Sequence, residues 1–406
     1  MRKTLVRLSI FVLVFAIAVS AQKRSITEKD LFDFSWVGDP QVSPDGSKVV
    51  FVKVTVNAKK DGYDTSIWSV ATSGNQEPIR LTSGTRDSAP EFSPDGKMLA
   101  FVRVTEKDGK PDSPQIFILS MAGGEAFQLT SLVRGAGGPL WSPDGKWIAF
   151  GNNAKPDDIA KQGKPPTPDA RESDVRVITR AVYRSDGGGY NDPTRPQHLW
   201  VVAAPTNPGD KPTPKQLTSG EFSEGNFVWA KDGSRVYYAT NRNPEPYYDT
   251  PRTEIFSVSA SGGQTEFLTK IDMGVGALSL SPDGKRFAFT ASEVTNPVKS
   301  YTQPDLWVLD ITPNAKPKNL TTAFDYDVGS GVGGDNAPPR AGGGNSPIWT
   351  VDGRSIIATV AQEGRANLAT FDAENGRVTE TTKGDQAVLS YRPNSDGSKL
   401  VYTVST

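Results

Sequence analysis

The sequence predicts an all-β protein: a seven-bladed β-propeller built from four-stranded antiparallel blades, with the seventh blade incomplete. Three observations carry that expectation. A Ser-Pro-Asp-Gly turn or a close variant occurs seven times along the 406 residues. The strand after each turn is apolar at the same two positions. Further apolar runs and Leu-Thr pairs follow each turn, giving four strands per unit at a period of about 40–50 residues, the spacing of propeller blades.

The turn is clearest in Trp141-Ser142-Pro143-Asp144-Gly145. Proline presets φ for a type I turn, Asp bonds back to its own backbone, and Gly takes the left-handed conformation that closes the hairpin. The other copies are Ser43-Pro44-Asp45-Gly46, Ser93-Pro94-Asp95-Gly96 and Ser281-Pro282-Asp283-Gly284, with looser forms ending in Asp232-Gly233, Asp352-Gly353 and Asp396-Gly397. Beyond each Gly stand Val49, Leu99, Ile148, Val236, Phe287, Ile356 and Leu400, and two residues later Phe51, Phe101, Phe150, Tyr238, Phe289, Ala358 and Tyr402. A period of two puts both sets on one face of a strand. Third strands read as Ile67-Trp68-Ser69-Val70 and its equivalents. Fourth strands end at Leu81-Thr82, Leu129-Thr130, Leu217-Thr218, Leu268-Thr269, Leu320-Thr321 and Thr381-Thr382. One blade cannot bury both of its faces, so the recurring apolar pattern implies blades stacked around an axis.

Spacing locates the departures. From turn Asp to closing Thr the chain spans 37, 35, 37, 38 and 30 residues in units one, two, four, five and six, but 74 in unit three. Unit three therefore carries an insertion between Asn152 and Pro196, including the run Lys164-Pro165-Pro166-Thr167-Pro168. A smaller glycine-rich insertion, 329–345, lies between units five and six. Thr27 is placed to cap a short helical turn in a lead-in over 22–35. The propeller then occupies 36–406, six full blades and the first hairpin of a seventh, 388–402. The missing third and fourth strands suggest a fragment of a longer protein.

Arg2, Lys3 and Arg7, an apolar stretch over 8–19 and Val19-Ser20-Ala21 predict a bacterial-type signal peptide over 1–21, cut before Gln22. Its apolar run is short for a membrane span, so the mature chain is expected in the periplasm or outside the cell, with no membrane attachment. Formal net charge is −1, or −4 once the three leader cations are gone, and no long basic run exists, which excludes nucleic acid as a partner. Cys is absent, which removes disulfides, thiolate catalysis and thiolate metal sites.

Catalytic chemistry is sparse. His198 is the sole histidine, at the start of a blade strand with no nucleophile motif nearby. No Gly-x-Ser-x-Gly occurs, and Ser346 in Gly344-Asn345-Ser346-Pro347-Ile348 fails that pattern at its last position. Asp325-Tyr326-Asp327 lacks EF-hand spacing and reads as an acidic loop. Gly187-Gly188-Gly189 and Gly342-Gly343-Gly344 do not join a strand to a helix and read as loops, not phosphate cradles. No catalytic residue, metal site or cofactor is expected. The remaining candidates lie in the unit-three insertion: Arg176, Arg180, Tyr183, Arg184 and Tyr190. Arg can grip a carboxylate through two parallel hydrogen bonds and Tyr offers a flat apolar face with a polar tip, a set suited to peptide ends or backbone. The same residues also suit a solvated hairpin on the blade rim.

The turn repeats, Glu28-Lys29-Asp30-Leu31, and above all Arg176-Val177-Ile178-Thr179-Arg180 with Tyr183-Arg184-Ser185-Asp186-Gly187-Gly188-Gly189-Tyr190 resemble the propeller of the prolyl oligopeptidase family, in its acylaminoacyl-peptidase and dipeptidyl-peptidase 5 branch. Tol-system (TolB-like) propellers share the turn repeats, whereas the unit-three insertion and the Asp325-to-Asn345 loop are more specific. The resemblance covers residues 26–406 and implies a seven-bladed propeller capping a C-terminal α/β-hydrolase domain, which would carry the Ser-Asp-His triad. It implies short peptides as substrates, a propeller that filters access, and a homo-oligomer as a state open to the full-length enzyme. The dipeptidyl-peptidase IV branch uses an adjacent Glu pair, and this sequence has none. The alternatives are a free-standing periplasmic TolB-like propeller that binds another protein, and a sugar-handling propeller, which would need paired carboxylates in one funnel.

Overall fold

A computed structural model describes residues 24–162, 175–186, 189–333, 337–342 and 345–406. The expected leader 1–21, its cut before Gln22, the proline run 164–168, and Gly187, Gly188, Gly343 and Gly344 lie outside the described residues.

The chain lays down one antiparallel sheet after another. Blade one pairs Ser35–Val42, Lys48–Val56, Tyr63–Ala71 and Ile79–Arg80 in that order. Blade two pairs Asp87–Phe92, Met98–Arg103, Gln115–Ser120 and Phe127–Gln128. Blade three pairs Gly137–Trp141, Trp147–Asn152, His198–Ala203 and Lys215–Gln216. Blade four pairs Glu224–Trp229, Arg235–Thr240, Thr253–Ser259 and Glu266–Ile271, and blade five Ser279–Leu280, Arg286–Ser292, Pro304–Asp310 and Lys318–Asn319. Blade six pairs Ile348–Trp349, Ser355–Gln362, Arg365–Asp372 and Val378–Glu380. The hairpin Ala387–Pro393 with Leu400–Ser405 follows, touching the blade-six sheet through one parallel bridge, Ala366 to Ala387.

The turn chemistry is realised as the sequence dictates. Ser142 Oγ donates to Asp144 Oδ1 (2.7 Å), the same oxygen accepts Lys146 N (3.1 Å), and Trp147 N donates to Ser142 Oγ (2.9 Å). The turn glycines sit at φ 66–75°, where a side chain would be strained. Fourth strands are short, and in blades one, two, three and five they stop immediately before the Leu-Thr pair. The threonine has a structural task. Thr130 Oγ1 accepts the backbone N–H of Ile116 (2.9 Å) and donates to Gln115 Oε1 (2.8 Å). Thr321 does the same with Leu306 N (3.0 Å) and Asp305 Oδ1 (2.8 Å), and Thr382 with Leu368 N (2.9 Å) and Asn367 Oδ1 (3.0 Å). These bonds satisfy backbone donors left over where the outer strand ends.

Five of the first strands carry a register break at one place: between Gly38 and Gln41, Ser88 and Glu91, Gly137 and Leu140, Gly225 and Val228, and Val388 and Ser390. Asp39, Ala89, Gly138 and Asn226 in these breaks have φ of 48, 50, 64 and 51°. Here the structure refines the second insertion. Asp327–Val328 and Ile348–Trp349 both pair with Ser355–Gln362, so the glycine-rich insertion lies within the first strand of blade six, in place of the bulge. A bulge already interrupts the ladder, so added residues there break no further pairing.

The period-two residues face the preceding blade. Ile148 and Phe150 pack with Ile116 and Ile118 of blade two, while Ala149 and Val201 on the other face pack with Val236 and Tyr238 of blade four. Burying a Phe150-sized side chain contributes about 2–3 kcal/mol. The last hairpin departs from this pattern. Tyr402 is exposed and Leu400 half-buried, because no described strand pairs with the outer edge of Leu400–Ser405. Neighbouring blades are also stapled by indoles on their first strands. Trp141 Nε1 donates to Glu91 O (3.1 Å), Trp229 Nε1 to Leu140 O (3.0 Å) and Trp349 Nε1 to Ser279 O (3.1 Å). The last hairpin meets blade one through Lys399 Nζ to Gly46 O (2.8 Å) and Thr72 Oγ1 (3.0 Å), and Ser395 Oγ to Pro44 O (3.2 Å).

The lead-in differs from expectation. A 3-10 turn spans Asp30–Asp33, and Thr27 does not cap it. The bond runs in reverse: the Asp30 carboxylate accepts Thr27 N (2.7 Å) and Thr27 Oγ1 (2.9 Å), because an ionised carboxylate is the stronger acceptor.

Candidate functional site

The two rims of the propeller are unlike. One rim holds the tight Asp-Gly turns and the third-to-fourth connections, of which only 204–214 is long. The other holds the second-to-third connections 57–62, 104–114, 241–252, 293–303 and 363–364 and the described parts of 153–197. The lead-in packs there as well, with Lys60 Nζ 4.6 Å over the Phe32 ring. The blade-six insertion reaches the same rim, since a Cβ on Gly62 would stand 4.0 Å from Arg340. Exposed aromatic and branched side chains gather on it, including Phe32, Ile178, Tyr183, Tyr301, Tyr247 (66% exposed) and Tyr248 (75%).

A cavity of about 410 Å³ opens on this rim between the inner ends of blades three and four. The unit-three insertion roofs it. The insertion contains a short helix, Pro156–Lys161, and a two-rung hairpin, Arg184–Ser185 with Gly189–Tyr190. Of the residues singled out in the sequence, Arg180 and Tyr190 line the cavity. Arg176 stacks its guanidinium 4.6 Å from the Tyr190 ring centroid. Arg184 pairs with Tyr190 across the hairpin, and Tyr183 accepts Asn191 N on its carbonyl (2.8 Å) with its ring exposed. Arg184 and Tyr183 do not line the cavity, so the five residues are not brought into one pocket.

The remaining walls come from elsewhere: Arg134 between blades two and three, Asn153 after the second strand of blade three, and Ser223 ahead of blade four. Arg195 braces the floor. It is bonded twice to Asp158, is 3.3 Å from Asp192, and its partnership holds the Asp158 carboxyl down at about 2. Arg134 belongs to no repeat and no motif. The signal that could have found it is topological, because a residue joining blades two and three must lie on the rim that carries the insertion.

A slightly larger cleft of about 480 Å³ opens between blades five and six beside Phe324, Tyr326 and Val378. Its charged groups are already matched, Arg365 with Glu363 and Lys383 with Glu380, so it reads as an imperfect join between blades. Tyr301 of blade five donates its hydroxyl to Asp327, which makes the Asp325-Tyr326-Asp327 run part of the next strand's start. His198 is buried, with Nδ1 2.8 Å from Glu224 Oε2, and the same oxygen accepts Thr218 Oγ1 (2.9 Å). It occupies the position of Gln115, Asp305 and Asn367 in the other blades, and with Glu224 completes the threonine clasp of blade three.

One further charged group lies where the first and last blades meet. Glu91 and Asp39 on first strands share the field of Arg392. Glu91 keeps some contact with solvent yet is surrounded by protein, as a residue lining the narrow axis of a propeller would be. Burial pushes its carboxyl up to about 7, against the pull of Arg392 and with the repulsion of Asp39. Burial raises Asp39 too.

No family model matches the chain. It is 30% identical over 389 residues to YuxL, an uncharacterised peptidase of Bacillus subtilis, covering 94% of this chain and 55% of that protein. It is 24% identical over 285 residues to dipeptidyl-peptidase 5 of Porphyromonas endodontalis, covering 68% of this chain and 39% of that one. The chain thus spans about half the length of the curated relatives it matches. Its fold matches acylaminoacyl peptidase of Pyrococcus horikoshii with a TM-score of 0.61 at 17% identity, over 93% of this chain and 50% of that one. It matches the β-propeller domain of the Trilobed protease of Pyrococcus furiosus with a TM-score of 0.57 at 16% identity, over 92% and 90%. The chain is a β-propeller, related in sequence to two peptidases and similar in fold to the propellers of others.

Proposed function

We propose that this chain is the non-catalytic, substrate-gating part of a secreted serine peptidase that acts on short peptides. Its elaborated rim faces an α/β-hydrolase domain that releases dipeptides or aminoacyl groups. The observation that carries this reading is the asymmetry of the rims: insertions, lead-in and exposed aromatics lie on one side of the propeller, and the relatives in sequence are peptidases about twice as long. The cavity beneath the unit-three insertion opens on that side, so Arg176, Arg180 and Tyr190 would stand between incoming peptide and the hydrolase, with Tyr183 and Arg184 on the surface of the same hairpin. Export rests on the leader pattern.

The test is direct. The reading frame beyond Thr406 is expected to encode a Gly-x-Ser-x-Gly hydrolase, and the 406-residue chain alone is expected to leave aminoacyl and dipeptidyl chromogenic substrates uncleaved. A stop codon after Thr406 with no such segment, or robust turnover by this chain, overturns the proposal. Cell fractionation checks export, and recovery from the cytoplasm with the leader uncut overturns that part.

A further inference from the structure

Resting on that reading, we propose that the cavity under the unit-three insertion receives the free C-terminal carboxylate of a peptide. Arg134 and Arg180 are its cationic walls, and Tyr190 is the flat wall beside the peptide's last side chain.

Arg134, Arg180, Arg195 and Asp192 are the ionised residues lining the cavity. Arg195 is committed to Asp158 and Asp192, and Lys155 also stands 4.0 Å from Asp192. The acids of the floor are therefore already answered. Among the described residues Arg134 and Arg180 make no hydrogen bond or ion pair of their own, and Arg134 only shares the field of Asp158, which Arg195 already binds. Two guanidinium groups with open donors on one cavity select an anion, and their planar forks fit a carboxylate.

Arg134 is also held rigidly. Its backbone is held at φ 68°, a conformation a non-glycine residue adopts only when its surroundings enforce it. They do so from both sides. The buried amide of Asn152 donates to Val133 O (3.1 Å) and to Gly135 O. Gln115 Nε2 holds Leu132 O (2.8 Å), and Gly135 lies so close to blade two that a Cβ there would stand 2.5 Å from Pro114 O. No repeat requires this strain. It fixes one arginine at the cavity mouth, which is the preorganisation a binding group needs.

A volume of about 410 Å³ exceeds what a bare inorganic anion fills, and Val182, Tyr190 and Pro193 give the space an apolar side. A carboxylate attached to a side-chain-bearing residue uses both parts, with Asn153 and Ser223 placed to meet the last peptide group.

The experiment is fluorescence anisotropy on the 406-residue chain, with a dansyl-labelled Gly-Gly-Phe peptide as free acid and as C-terminal amide. The free acid is expected to bind at least about ten-fold tighter than the amide. Arg134→Gln and Arg180→Gln are each expected to erase that ratio and leave amide binding unchanged. Both side chains are exposed, but only Arg134 stands at positive φ, so the Arg180 variant serves if the Arg134 variant fails to fold. Equal affinity for acid and amide, or a ratio that survives both substitutions, overturns the proposal. So does inorganic phosphate displacing the peptide at the free acid's own concentration, which would mark a general anion site. The two readings fail separately. In the full-length protein, peptidase activity with the same KM for free-acid and amide substrates removes the carboxylate site and leaves the gating role. Selective free-acid binding in a full-length protein without peptidase activity does the opposite.

Discussion

Glu91 is the residue whose environment most opposes its charge. Its carboxyl titrates near 7 in the folded chain against 4.5 ordinarily, so the folded state binds the proton more tightly than the unfolded one. The cost of ionising it is absent below pH 4.5, grows as pH rises, and is complete above 7. Glu91→Gln is therefore expected to stabilise the protein by about 1–3 kcal/mol at pH 8, a range discounted for partial solvent contact, and by almost nothing at pH 4.5. Urea denaturation across that range checks it, and a pH-independent difference would contradict the assignment. His198 makes the converse point. Because Gln115 fills the equivalent place in blade two, His198→Gln is expected to leave any peptidase activity of the full-length enzyme intact. Glu224→Ala strands Thr218 and His198 together and should cost about 2–4 kcal/mol of stability. Loss of activity in a folded His198→Gln protein would return His198 to the list of catalytic candidates.

At the scale of the element, the hairpin turn is a self-contained device of Ser, Asp and Gly. Ser142→Ala removes the acceptor of Trp147 N and the donor to Asp144, and is expected to cost about 1–2 kcal/mol in a thermal melt. Blade four is a natural control. Ala230 stands where the other turns have Ser, Thr or, in the last, Asn394, and Asp232 takes Ser234 N (3.0 Å) and Ser234 Oγ (2.7 Å), so Ala230→Ser should change stability little. The turn aspartates share a pH signature. Ser43, with the backbone and hydroxyl of Ser47, holds Asp45 down at about 2, so its contribution is present above pH 3.8 and lost as pH falls toward 2. The aromatic before the turn also has a purpose that the turn itself does not reveal. Trp141→Phe keeps the ring in the core but removes the bond to Glu91 O, for an expected loss of about 0.5–1.5 kcal/mol, which a double-mutant cycle with a blade-two core residue would assign to the join between blades.

For the whole molecule, the join between blade one and the last hairpin differs from every other. It relies on Lys399, Ser395 and the field of Arg392, whereas interior joins bury clusters of apolar residues from two full blades. Lys399→Ala should speed amide exchange in Ser35–Val42 and Ala387–Pro393 by roughly five-fold or more, with Trp147–Asn152 unchanged. Uniform acceleration would instead mean that the ring opens as one unit.

The sequence by itself determined the blades. A turn of fixed composition and an apolar period of two are local properties, readable in each copy, and Val236 or Phe289 could be placed in the core without coordinates. It also marked the unit-three insertion, because excess length shows against a regular spacing. It gave the Leu-Thr pair no task, since the bond of Thr130 to Ile116 N joins residues 14 apart across a strand end. It placed the glycine-rich insertion between blades, because a bulge leaves no mark on composition. Only the tertiary structure decided what the arginines do. Arg176, Arg180, Tyr183, Arg184 and Tyr190 look alike as neighbours in sequence, yet the two-rung hairpin holds only Arg184 and Tyr190 of the five, and only Arg180 and Tyr190 line the cavity. Arg134, some 46 residues before Arg180, completes that cavity because blades three and four bring their inner ends to the same rim. A repeat is written locally and can be read locally, whereas a site assembled from the ends of several blades exists only once the ring is stacked.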